Sequence, residues 1–121
     1  MLQKGLARKV TIYVNEDTQH HLHSLGDAIL TFLLHKGVAG ATATRATAGF
    51  GTHQQMHTAK VELLAEHLPI RIEFLESVQT VEELMPRLIA LVTDGVIEVQ
   101  ETRIAHVAQP SQARKRKDGS G

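Results

Sequence analysis

Arg45 is followed within twelve residues by Gly49, Phe50, Gly51, His53 and His57, and a second arginine, Arg71, lies further along the chain. A guanidinium offers two parallel N–H donors to a phosphate or carboxylate. Paired glycines can expose backbone N–H groups as an anion-binding nest. A histidine can donate to a bound anion or change its charge near neutral pH. Together these types point to a site for a small anion, with Arg45, Gly49, Phe50 and Gly51 gripping it and His57 and Arg71 nearby. Each has a plainer reading. Arg45 can serve an ion pair with Glu73, Glu76 or a neighbouring subunit. The glycines can serve a turn that needs a positive φ.

Other chemistry finds less support. His53 and His57 are four apart, a spacing that puts two imidazoles on one face of a helix for a metal. The stretch reads as loop, however, and no third ligand is close. His20, His21 and His23 form a second cluster, whose plainer reading is a solvated helix end. No metal site is assigned. There is no cysteine, no serine-centred elbow and no carboxylate pair at a motif spacing, so no catalytic residue is assigned. Glu16 and Asp17 are adjacent and suit a helix start.

These residues need elements to hold them. Residues 8–15 alternate, with Val10, Ile12 and Val14 on one face and Thr11 and Tyr13 on the other, which predicts a half-buried strand. The period then becomes helical over about 19–36. Leu22, Leu25, Ile29, Phe32 and Leu33 form its stripe, widened by Leu30 and Leu34. Lys36-Gly37 ends that helix. A weak strand of Ala, Thr and Arg follows over 41–48, then a loop over about 49–58. Residues 59–67 do not decide between strand and helical turn. Pro69 opens a third strand over 70–75. Thr80 and Glu83 form a capping box for a second helix reaching about Thr93, with Val81, Leu84, Leu88, Leu91 and Val92 as its stripe. Pro86 should bend or loosen the first turns of that helix. Residues 96–107 are a last extended stretch.

The order strand, helix, strand, strand, helix, strand predicts an α+β, ferredoxin-like βαββαβ sandwich: an antiparallel sheet with two helices on one face. The uncovered face would carry Thr11, Tyr13, Arg71, Glu73 and Leu75. This mixed surface suits a sheet buried against copies of itself in a cyclic homo-oligomer.

Composition sets the outer bounds. The 121 residues suit one domain, here 5–108, and a chain of this size buries roughly two-thirds of its unfolded surface. Residues 109–121 are polar and basic, and read as a disordered tail. Net charge is zero, but Arg114–Lys117 hold four of the thirteen basic residues. The remaining body is mildly acidic, and the aromatics are only Tyr13, Phe32, Phe50 and Phe74. Nucleic acid is therefore not an expected partner. Residues 1–9 show no secretory signal, and no apolar run approaches the ~18 residues of a membrane span. A soluble, cytoplasmic protein is expected.

The segments KVTIYVNE (9–16), KGVAGATATRATAGFG (36–51), His57-Thr58 and LPIRIEFLES (68–77) carry a likeness to a known family. The chain resembles the PII-like proteins, and within them the DUF190 family of unknown function, over about 5–107. The resemblance implies a homotrimer of ferredoxin-like subunits that holds a small ligand, often an adenine nucleotide, in a cleft between subunits beside a mobile loop. The cofactor is not identified by it. Some relatives are associated with ion transport, fluoride export in particular, so a membrane transporter is an implied partner. A related branch implies the alternative of a metal-binding trimer of the divalent-cation-tolerance type. Ala46 and Ala48 depart from the family pattern, which typically has glycine and a polar residue there.

Overall fold

The structure is a computed structural model and describes residues 2–49, 57–58 and 68–108. Strand β1 spans Gly5–Asn15. Two short strands, β2 (Gln19–His20) and β3 (His23–Ser24), precede helix α1 (Leu25–His35). Then come β4 (Ala41–Arg45), β5 (Ala48–Gly49), β6 (His57–Thr58), β7 (Pro69–Glu76), helix α2 (Val78–Leu91) and β8 (Val96–Ile104). The main sheet has the order β4-β7-β1-β8, and every neighbouring pair is antiparallel. This is the ferredoxin-like α+β architecture that the order of elements predicts.

Both helices cover one face. Val10, Ile12 and Val14 from β1 and Ile72 and Phe74 from β7 meet Leu25, Ile29 and Leu33 of α1, and Val81, Leu84 and Leu88 of α2. Burying one such side chain contributes about 1.5–3 kcal/mol. The period-two alternation of β1 is what delivers three of them to the same side. The register sets Thr11 between Glu73 and Glu98, and Tyr13 between Arg71 and Val96, on the opposite face. Tyr13 donates to Glu98 Oε1 there (3.3 Å), and Arg71 pairs with Glu73 (3.5 Å).

Helix α1 begins six residues later than the periodicity predicts. Gln19 pairs with Ser24 and His20 with His23 in a tight hairpin, whose turn puts His21 at φ 56°. The Leu25 N–H donates to the Thr18 carbonyl (2.8 Å) and closes this excursion. Ser24 is the N-cap, its hydroxyl accepting from the Asp27 N–H at 3.1 Å. Leu22 therefore leaves the predicted stripe and stands 92% exposed, and Leu34 is also exposed. The end of the helix is as predicted. Gly37 at φ 74° donates to the Leu34 carbonyl and Val38 to the Leu33 carbonyl, a Schellman closure.

Three other boundaries differ from expectation. The strand predicted over 41–48 stops at Arg45. Ala46 still donates to the Pro69 carbonyl (2.9 Å), but Pro69 has no N–H to return, so the ladder ends. The chain steps aside and Ala48–Gly49 pairs instead with His57–Thr58. The region read as an unbroken loop from Gly49 thus has a hairpin at its base. Helix α2 starts at Val78, with Ser77 rather than Thr80 as its cap; the Ser77 hydroxyl accepts from the Thr80 N–H at 3.1 Å. The helix passes through Pro86 without a break in its assignment. Strand β8 ends at Ile104, short of 107. The expectations over 50–56, 59–67 and the tail at 109–121 lie outside the described residues.

Candidate functional site

Strands β1 and β4 flank β7 and run the same way, so their C-terminal ends meet at one edge of the sheet. Glu16 follows β1 there, its N–H donating to the Leu68 carbonyl at 2.9 Å. Arg45 closes β4. The two side chains form a two-point fork: Arg45 Nε to Glu16 Oε1 at 2.8 Å, and Nη2 to Glu16 Oε2 at 3.0 Å. Arg45 thus holds an oxyanion in the bidentate geometry that a phosphate or carboxylate ligand would use. Among the described residues it pairs with the Glu16 carboxylate rather than with the Glu73 or Glu76 considered from sequence.

Gly49 lies four residues past Arg45, opposite His57 at the foot of the β5–β6 hairpin. A Cβ on Gly49 would come within 3.4 Å of the Pro69 ring. It is a ladder residue packed on β7 rather than a free loop hinge. The structure therefore brings Arg45, Gly49 and the backbone of His57 to one corner. Phe50 and Gly51 lie outside the described residues.

Arg71 is elsewhere. It sits opposite Tyr13 and Thr44 on the open face, whereas Arg45 sits opposite Ile70, whose Cδ1 points at Gly26 of α1. The pleat of β7 thus sends Arg45 and Arg71 to opposite faces of the sheet.

Glu16 is the residue that sequence reading assigned to another task. Its signal was available: a carboxylate closing β1 falls level with the end of β4 once the sheet order is known. Glu76 is the other carboxylate of note. It is 1% exposed, and its oxygens accept from the Ala39 N–H (2.7 Å) and the Ser77 N–H (3.2 Å). It ties the turn before β4 to the start of α2 and so fixes the strand that carries Arg45. Among the described residues no group of three or more histidines and carboxylates is arranged to hold a metal. His20 and His23 face each other across the β2–β3 hairpin.

All five β4 residues are exposed, and among the described residues the strand that positions Arg45 is an edge of the main sheet. Among the described residues no helix is long and apolar enough to cross a membrane.

Comparison with solved structures returns the same architecture. CPII, a nitrogen regulatory PII-like protein from Thiomonas intermedia K12 bound to ADP, AMP and bicarbonate, superposes with a TM-score of 0.58 at 17% identity. The match covers 88% of this chain and 94% of that one. A putative PII-like signaling protein from Thermus thermophilus gives a TM-score of 0.58 at 16% identity, covering 86% and 94%. CPII bound to ADP and bicarbonate gives 0.54 at 18%, covering 88% and 95%. At these identities the likeness is one of fold. The sequence itself matches the DUF190 family, described as an uncharacterized ACR, over residues 7–104. Joined to the antiparallel β4-β7-β1-β8 sheet with both helices on one face, that match places the chain in the DUF190 family with a PII-like fold.

Proposed function

We propose that this chain is a non-catalytic PII-like regulator that acts in the cytoplasm as a homotrimer. A small anionic ligand, with an adenine nucleotide as the first candidate, binds between subunits at the corner made by Arg45 and the β5–β6 hairpin. Gly49, Phe50, Gly51 and His57 are the proposed contacts to the ligand, with Arg71 supplied by a neighbouring subunit. Binding orders the segment over 51–59, and the ordered segment signals to a partner protein, an ion transporter being the class that the family resemblance suggests. The switch trades chain entropy against ligand contacts.

The observation that carries this reading is the Arg45–Glu16 fork. It is a preformed two-point oxyanion grip at the foot of a hairpin. Supporting it, similar folds are known with ADP, AMP and bicarbonate bound. The exposed β4 edge supports assembly, since an open strand of small residues favours close approach by a second chain.

Thermal denaturation with ADP, AMP, ATP and bicarbonate tests the ligand reading. A ligand at a hundred times its Kd stabilises by about 2.7 kcal/mol, which raises the midpoint by several degrees. No shift with any of them at millimolar concentration contradicts it.

A further inference from the structure

Between α1 and α2, on the helix side of the sheet, lies an open groove of about 600 Å³. The last turn of α2 lies beside the first turns of α1, so Ala28, Phe32, Ala90 and Leu91 make an apolar floor. The volume falls in the range of small-molecule sites. One cation, Arg87, lines the groove, and Lys36 lies outside that lining. The Arg87 guanidinium lies 5.8 Å from the Phe32 ring centroid, and Lys36 Nζ lies 5.9 Å from the same centroid. Among the described residues neither cation reaches a carboxylate at ion-pair distance. Glu83, on the same helix as Arg87, accepts instead from Gln79 Nε2 (3.5 Å). Asp27 stands at the far end of the groove, in the first turn of α1.

A guanidinium stacked on an aromatic face keeps its N–H edge free for a planar oxyanion. We propose that this groove is a second ligand site, separate from the Arg45 corner, that takes a small organic anion with an aromatic or apolar body. Arg87 holds the anionic head. The body lies along Ala28, Ala90 and Leu91. The inference stands on the helix layer alone and does not depend on the reading of Arg45.

The test titrates the full chain with 1-naphthyl phosphate, followed by calorimetry and by amide NMR shifts. The expected result is saturable binding that moves the Thr31, Phe32 and Ala90 amides. Arg87→Gln weakens it at least tenfold, and Lys4→Gln, at an exposed cation outside the groove, leaves it within twofold. Inorganic phosphate, which has no apolar body, binds at least tenfold more weakly. Ala90→Glu, at an exposed position of α2, also weakens it by placing a negative charge in the groove. Absence of shifts on α1 and α2 at millimolar probe overturns the proposal. So does wild-type affinity in Arg87→Gln or Ala90→Glu, and so does inorganic phosphate binding as tightly as the aryl ester.

Discussion

The Arg45 guanidinium grips the Glu16 carboxylate at two points, 2.8 and 3.0 Å, across the width of β7. The side chains are 50% and 27% exposed, so solvent screens the pair and it adds only about 0.2–1 kcal/mol to folding. A grip this weak energetically, yet this well aligned, is easily exchanged. An incoming oxyanion competes with Glu16 for the same N–H edge.

Replacing that competitor should favour the ligand. Glu16→Gln keeps the shape and removes the charge. Anionic nucleotide should then bind more tightly, by up to about fivefold, since the exposed pair it displaces is worth about 0.2–1 kcal/mol. Urea denaturation of the same variant should show less than about 1 kcal/mol of lost stability. Weaker ligand binding in Glu16→Gln would mean that Glu16 helps to hold the ligand rather than to compete with it.

Glu76 is expected to behave in the opposite way. It is buried, and two backbone N–H donors rely on it. Glu76→Ala leaves both without their partner, and each unsatisfied donor costs about 1–3 kcal/mol. Chemical denaturation should register a loss of about 2–4 kcal/mol. Glu82→Ala, which breaks an exposed pair with Arg8, should lose less than about 1 kcal/mol in the same assay.

The start of α2 separates two readings of its cap. The structure puts Ser77 there, with its hydroxyl accepting from the Thr80 N–H. Ser77→Ala should then destabilise by about 1 kcal/mol, and Thr80→Ala by clearly less. The reverse order, measured by thermal or urea unfolding, would restore the capping box at Thr80 and Glu83.

Gly95 holds the turn into β8 against β1. A Cβ there would overlap the Tyr13 carbonyl oxygen, and the residue sits at φ 153°. Gly95→Ala is expected to cost more than about 2 kcal/mol, because the clash is with backbone and cannot be relieved by a rotamer change. A near-neutral result would show that β8 can shift along β1.

Assembly gives a further prediction. Light scattering at micromolar concentration should report about 40 kDa, three times the 13.3 kDa chain. A monomer mass contradicts the trimer.

The main sheet was legible in the sequence where burial imposes a period. Val10, Ile12 and Val14 could alternate only as a strand, and Val81, Leu84 and Leu88 could share a face only as a helix. Errors came where local hydrogen bonds overrule the pattern. Leu22 fits the α1 stripe by spacing, but the hairpin from Gln19 to Ser24 turns it to solvent. Thr80 fits a capping box, but Ser77 reaches the same N–H first. The candidate site was legible only in part. Arg45 could be named from its type and neighbours. Its partner Glu16 is 29 residues away, and only the sheet order brings them level. Arg71 was grouped with Arg45 by type, and one step of the pleat parts them.

The central claim is that Arg45 holds an anionic nucleotide. Calorimetric titration of the full chain with ADP and AMP, on wild type and on Arg45→Ala, tests it most directly. Wild type should bind saturably and Arg45→Ala at least tenfold more weakly, with the mass in solution unchanged. No binding by wild type at millimolar nucleotide, or equal affinity in the variant, contradicts it.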